Sequence, residues 1–180
     1  MTNWKALVGS LYAQQYGAAE RFGEPGLSLP PNPPAAEAAV EAAEQRLGVC
    51  FDAAFREFLR VCDGWPRFGR IQLFGCGDLA AGEKWRRDST FANEYFATQA
   101  SAASDVPDGY RRVLVGKAGL SQRFIVMMVP THPVGGVSAC WDCMGGIDLR
   151  YPDFGVWAEH EAATIAYALD EEIADRRCLR

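Results

Sequence analysis

The sequence predicts an α+β domain in which a mainly antiparallel sheet is flanked by an N-terminal helical hairpin and a C-terminal helix. Helical periodicity dominates the first third and the end of the chain, whereas short apolar runs occupy residues 112–141. The turns between these runs are too short for the helical crossovers that parallel strands require. Consecutive strands are therefore expected to pair as hairpins.

Composition is typical of one globular domain. The chain has 180 residues, of which 49% are hydrophobic and 23% charged, so it can bury a substantial core. It contains no apolar run of about eighteen residues, and its N-terminus lacks the basic-then-apolar pattern of a secretory signal. We therefore expect a cytoplasmic protein without membrane contact, whose six cysteines remain reduced.

Residues 1–32 are predicted to form an N-terminal helix followed by a proline-rich connector. Trp4, Leu7 and Leu11 recur at helical spacing, and the prolines that follow favour an extended chain. Because so short a helix cannot build a core of its own, residues 33–180 are assigned to a single domain.

Two helices joined at a glycine are predicted next. Val40 and Leu47 lie on one face of an alanine-rich run, and Gly48 stands where a left-handed C-terminal cap is favoured. Phe55 and Phe58 then recur at helical spacing. The apolar faces of this helical hairpin need a further surface on which to pack.

The remaining elements are predicted from apolar runs and turn residues. Strands are expected at residues 71–74, 112–116, 123–129 and 136–141, and helices at residues 88–103 and 155–176. The run at 125–129 is apolar throughout, which is typical of a central strand buried on both faces.

The order of these motifs resembles the SUKH superfamily of bacterial toxin-immunity proteins and fungal cell-wall-synthesis regulators. The resemblance is carried by Glu-x-x-Leu-Gly at residues 44–48, Phe-x-x-Phe-Leu at 55–59, Asp-Gly at 63–64 and Leu-Phe-Gly-x-x-Asp-Leu at 73–79. Phe51-Asp52 replaces the Leu-Pro that is usual in the family. The motif region spans residues 33–79, less than a third of the chain. It implies the same α+β architecture.

Charge is distributed unevenly along the sequence. Residues 1–136 contain 14 acidic and 14 basic side chains, whereas residues 137–175 contain nine acids and one basic residue, Arg150. An acidic segment of this kind disfavours direct nucleic-acid binding and favours a basic protein partner.

Catalytic and metal-binding patterns are weak. Cys140 and Cys143 form the one Cys-x-x-Cys pair, and a structural zinc site needs two further ligands. As a redox pair they would precede a helix, yet they end a predicted strand. His132 and His160 are the two histidines, and both fall in polar surroundings typical of solvated side chains. We expect no cofactor and no resident metal.

The resemblance implies a non-enzymatic immunity protein that binds a cognate polymorphic toxin and occludes its active site. Many SUKH partners are nuclease or nucleobase-deaminase toxins, whose active-site groove is basic. The acidic segment independently indicates how such a groove is recognised, by electrostatic steering with aromatic anchors. The residues expected to contact the toxin are Asp142, Asp148, Tyr151, Asp153, Glu159 and Glu161.

Two alternatives stay open at this point. The first is an intracellular scaffold or regulatory module of the same fold, which binds an endogenous protein. The second is a small thiol redox or metal protein that uses Cys140 and Cys143. A neighbouring toxin gene would separate the first alternative from an immunity function, and the thiol pKa values would test the second.

Overall fold

A computed structural model describes residues 2–98, 106–119, 121–132 and 138–178, and it confirms the α+β prediction. The helices are α1 (Trp4–Phe22), α2 (Glu37–Leu47), α3 (Ala53–Val61), α4 (Glu83–Thr98) and α5 (Phe154–Cys178), with a 3₁₀ turn at Pro25–Ser28. The strands are β1 (Trp65–Phe68), β2 (Ile71–Leu73), β3 (Tyr110–Ala118), β4 (Arg123–Pro130), β5 (Cys140–Met144) and β6 (Ile147–Tyr151).

The six strands form one sheet in the order of the sequence. Each strand pairs antiparallel with the next, from β1 at one edge to β6 at the other. β4 lies between β3 and β5 and is buried along nearly its whole length, which confirms the central strand expected from its apolar run.

Helices cover both faces of the sheet. On one face, Tyr95 and Phe96 of α4 pack edge-on against Phe124, with ring centroids 5.1 and 5.6 Å apart. On the other face, α1, α3 and α5 enclose an aromatic core in which Phe154 contacts Phe58 at 5.1 Å. Because successive residues of β4 point to opposite faces, the same strand supplies both layers.

The N-terminal helix is part of this core. Trp4 is only 4% exposed and contacts Phe58 at 5.3 Å and Phe154 at 5.7 Å between ring centroids. Asn3 caps α1 by accepting a hydrogen bond from the backbone N–H of Ala6 at 3.2 Å. α1 is therefore not a separate unit, and it seals the layer that α3 and α5 build.

The helical hairpin forms as predicted. α2 ends at Gly48, whose φ of +62° is the left-handed cap that its position indicates. Asp52 caps α3 by accepting from the backbone N–H of Phe55 at 2.8 Å. Glu44 accepts a hydrogen bond from the N–H of Phe51 at 2.7 Å, which fixes the corner between the two helices.

Some boundaries differ from the prediction. α4 begins five residues earlier than expected, at Glu83, and β5 is Cys140–Met144 where a strand at 136–141 was predicted. β1 and β6 were not predicted, because Pro66 disfavours a strand and the charges of β6 obscure its alternation. Residues 99–103 of the predicted helix and 136–137 of the predicted strand lie outside the described residues. Of the helices in the described part of the chain, none is long and apolar enough to cross a membrane.

Candidate functional site

The segments that carry the sequence motifs meet at one corner of the fold. The backbone N–H of Cys76 donates to Oδ1 of Asp63 at 2.6 Å. Arg46 of α2 donates to the backbone carbonyls of Cys76 and Leu79. The motif residues of α2, of the turn after α3 and of the loop after β2 are thus joined by direct hydrogen bonds.

Two glycines allow this corner to close. Gly64 has a φ of +79°, and a Cβ at this position would overlap the backbone of Gly75. A Cβ on Gly75 would in turn overlap the backbone carbonyl of Asp63. The motif residues at positions 63–64 and 73–79 therefore hold two loops in contact. This structural role explains why a glycine or an aspartate stands at these positions, and it requires no ligand.

Arg123 is the centre of a charged cluster with two buried acids. Its guanidinium pairs with Asp142 through Nε and Nη2, at 2.9 and 2.5 Å, and with Glu161 through Nη1 and Nη2, at 3.0 and 2.5 Å. Trp157 donates from Nε1 to Oδ2 of Asp142 at 3.2 Å. The hydrogen bonds from Arg123 to Asp142, and then those to Glu161, raise the pKa of Arg123 above its ordinary value. The cluster ties β4 and β5 to α5.

This cluster corrects the interface expected at Asp142 and Glu161. Each residue is 5% exposed and has its carboxylate bound to Arg123, so neither faces a partner. The sequence count placed Arg123 in the charge-balanced part of the chain and therefore missed that it neutralises two distant acids. The expectation is wrong for these two residues because charge counted along a sequence ignores pairing in space.

Asp148 occupies a half-buried position on the α4 side of β6. Its Oδ1 accepts a hydrogen bond from the hydroxyl of Tyr95 at 3.1 Å. The same hydroxyl accepts from the backbone N–H of Gly146 at 3.0 Å. Burial, followed by the carboxylate of Asp148, raises the pKa of Tyr95 against the opposing effect of the Gly146 hydrogen bond, so the phenol stays protonated and holds the carboxylate in place.

Three other residues expected at the interface lie where β6 passes into α5. Tyr151 is half-buried, and its hydroxyl lies 3.1 Å from Nδ1 of His160. Asp153 caps α5 by accepting from the backbone N–H of Val156 at 2.9 Å. Glu159 is exposed on the first turns of α5. We refer to Asp148, Tyr151, Asp153 and Glu159 as the junction surface.

A groove of the opposite charge lies elsewhere on the molecule. Its volume is about 710 Å³, and its lining residues are Glu24, Pro66, Arg67, Arg70, Gln72, Lys84, Arg87, Gly119 and Glu172. Sequence reasoning missed it because its basic residues come from two separate stretches of a charge-balanced region. Since Glu172 lines this groove, the second half of α5 lies beside positive charge, and the junction surface is the part of the acidic segment away from it.

The thiols of Cys140 and Cys143 lie on opposite faces of β5. Cys140 is paired with Met127 and Cys143 with Phe124, and adjacent positions of β4 alternate in the side they face. Burial is the main cause that raises the pKa of both thiols above the ordinary range. The pair therefore lacks the geometry and the acidity of a redox dithiol. Among the residues that the structure describes, no cluster of three His, Cys, Asp or Glu side chains is arranged to hold a metal ion.

Comparison with known proteins adds no assignment. No family model matches the chain, and no curated protein matches it significantly.

Proposed function

We propose that this protein is an immunity protein of the SUKH type, which binds a cognate polymorphic toxin and blocks its active site without doing chemistry itself. The observation that supports this proposal best is the junction surface, where Asp153 and Glu159 place acidic side chains near Tyr151 as β6 passes into α5, and Asp148 adds a third on the α4 side of β6. The motif corner at residues 44–79 supports the family assignment, because the residues that resemble the family contact one another.

The proposed partner is a nuclease or nucleobase-deaminase toxin with a basic active-site groove. Acidic side chains increase the rate at which such a groove is found, because long-range attraction orients the two proteins before contact. Tyr151 supplies an aromatic group at the same place, and aromatic residues contribute much of the short-range energy of interfaces. The basic groove at Arg67 and Arg70 repels a basic toxin and so favours docking at the junction surface.

The proposal places the protein in the cytoplasm, where an immunity protein meets a toxin that acts on nucleic acid or nucleobases. It involves neither a cofactor nor direct binding of nucleic acid. An intracellular scaffold that binds an endogenous basic protein would use the same surface, and the presence of a toxin gene beside this one separates the two.

The test is inhibition of the toxin encoded beside this gene by purified protein. The double variant Asp153→Asn/Glu159→Lys keeps a cap on α5, because asparagine caps helices as well as aspartate does, and it makes the charge of the junction surface more positive by three units. We expect the association rate at low salt to fall by roughly tenfold.

A matched control changes the net charge equally at a distance from the junction surface. Glu41→Gln/Glu83→Lys alters one exposed side chain on α2 and one at the start of α4, and it is expected to inhibit as the wild type does. Equal loss of association in both double variants would mean that only net charge matters. Unchanged inhibition by the Asp153/Glu159 variant would reject the junction surface, and failure of the wild type to bind the toxin would reject the immunity function.

A further inference from the structure

The β6 strand is an open edge of the sheet with apolar side chains beside it. β6 pairs with β5 on one side, and no other strand in the described ranges pairs with it. Met144, Ile147 and Leu149 are 51%, 59% and 50% exposed. The three side chains share the face of the sheet that α5 covers, because Leu149 is paired with Asp142 and alternate residues face the same way. An edge of this kind is able to accept a further strand.

The turn before β6 determines which backbone groups point outward. Gly145 and Gly146 have φ angles of +58° and +96°, the pattern of a two-residue hairpin turn. Such a turn makes Met144 and Ile147 a hydrogen-bonded pair, and hydrogen-bonded pairs alternate along an antiparallel ladder. The N–H and C=O groups of Asp148 and Arg150 therefore point away from β5.

Side-chain charges then select one register for pairing with a second copy of β6. An antiparallel ladder built on the outward groups has three registers, which set Asp148 opposite Asp148, Arg150 opposite Arg150, or Asp148 opposite Arg150 of the other copy. The first two place like charges face to face, whereas the third forms two opposite-charge pairs. In the third register Leu149 meets Leu149, and Ile147 meets Tyr151, on the other face of the sheet.

The two charged side chains are already held on the correct face. Tyr95 donates to Oδ1 of Asp148, and the guanidinium of Arg150 lies 5.5 Å from the ring centroid of Trp141. Charged residues on an edge strand usually prevent pairing with another chain. Here the two charges have opposite sign and are two residues apart, so in this register each lies opposite a charge of the other sign on the second copy.

We propose that the protein self-associates through antiparallel pairing of β6 with β6 of a second copy, in the register that sets Asp148 opposite Arg150. The two sheets then become one continuous twelve-stranded sheet across a two-fold axis at Leu149. This inference does not rest on the proposed function, which is tested at Asp153 and Glu159, outside the paired segment; Asp148 and Tyr151 belong to both surfaces. Because each strand has five residues, the dimer is in equilibrium with the monomer.

Sedimentation of the full chain over a wide concentration range tests the interface. We expect the mass to rise from the monomer value of 19.7 kDa toward twice that value. Leu149→Lys sets two positive charges against each other at the two-fold axis and is expected to weaken the dimer roughly tenfold or more. Tyr167→Lys is the matched control, because Tyr167 is 64% exposed on α5, outside the paired segment, and this variant should dimerise as the wild type does.

Charge exchange tests the register itself. Arg150→Glu leaves two acids on the edge, and Asp148→Lys leaves two basic residues, so each variant alone should remain monomeric. Mixed together, they regain both opposite-charge pairs and should form a heterodimer, which differently tagged proteins reveal. Circular dichroism checks that each variant is folded. If Asp148→Lys does not fold, the Leu149→Lys result still tests the interface.

Three results would overturn the inference. A wild type that stays monomeric at the highest concentration excludes self-association. An edge that accepts only a strand of a toxin would give this same result. A dimer that survives Leu149→Lys lies at another surface. Folded charge variants that do not associate when mixed exclude the proposed register. Because Asp148 and Tyr151 belong to both surfaces, toxin inhibition is tested with Asp153→Asn/Glu159→Lys, which leaves the paired strand unchanged.

Discussion

The guanidinium of Arg123 and the carboxylate of Asp142 face each other on neighbouring strands, joined by two parallel hydrogen bonds beneath α5. Glu161 reaches the same guanidinium from α5, so one basic residue carries two acids that are 19 and 38 positions away in the sequence. The acidic segment is thus divided into a part that builds the fold and a part that faces solvent.

Removal of Arg123 should be among the most destabilising substitutions. Arg123→Gln leaves Asp142 and Glu161 buried without a positive charge, and loss of one member of a buried ion pair typically costs about 3–5 kcal/mol. Urea denaturation measures the free energy of unfolding. Lys5→Gln, at an exposed position on α1, is the control and should change stability by less than about 0.5 kcal/mol. Equal stability of the two variants would contradict the structural role given to the cluster.

Because the two motif loops are in contact at Gly75, we expect a methyl group at this position to destabilise the fold. Gly75→Ala places a Cβ against the backbone carbonyl of Asp63, which cannot move aside without breaking the hydrogen bond to Cys76. We expect a loss of at least about 3 kcal/mol in the free energy of unfolding, measured by thermal and urea denaturation. Gly77→Ala is the matched control, since a Cβ there has no neighbour within 4 Å. A stable Gly75→Ala variant would show that the loops separate easily.

Asp52 predicts a pH dependence of stability with a defined sign. Burial raises the pKa of this carboxyl above its ordinary value. The folded state therefore retains a proton that the unfolded state has released, so the contribution of Asp52 falls as the pH rises above about 4. Asp52→Asn keeps a cap on α3 and does not titrate. The stability of the wild type relative to this variant should decrease with pH through that window, and a difference independent of pH would refute the argument.

Thiol reactivity should separate Cys50 from the other cysteines whose side chains are described. Cys62, Cys76, Cys140 and Cys143 are buried, and burial is the first cause that raises the pKa of each. For Cys62 and Cys76 the pKa rises to about 12. In a Cys178→Ser background, an aromatic disulfide reagent should label one thiol rapidly in the folded protein and five after denaturation. Fast labelling of Cys140 or Cys143 would revive the redox alternative.

The fold could largely be anticipated because its strongest signals are local. Gly48 identifies the end of α2, and the apolar run of β4 identifies the central strand. β6 was missed although Gly145-Gly146 and the alternation that follows are a hairpin signal, because Asp148 and Arg150 made the stretch resemble a solvated loop. β1 was missed because a strand containing Pro66 is tolerated only at a sheet edge, and edges are assigned in three dimensions.

The candidate site was anticipated less well, for a physical reason. Sequence identifies which residues are acidic, whereas exposure depends on pairs that form only after folding. Asp142 is paired with Ile125, so it lies diagonally across from Arg123 on the same face of the sheet, and Glu161 reaches Arg123 from α5. Glu159 is exposed, whereas Glu161, two residues later on the same helix, is buried. With 3.6 residues per turn the two side chains point in different directions, which a count of charges cannot detect.

The stacking of Trp4 on Phe154 has a consequence for how the protein is made. The strands follow one another in order, so each hairpin is able to form soon after it leaves the ribosome. The surface against which Trp4 packs comes from Phe58 of α3 and from Phe154 of α5, a helix that follows the six strands of the sheet in the sequence. The first helix therefore stays without this neighbour until residues 154–178 have been synthesised, and the hydrophobic interior closes only after α5 has formed.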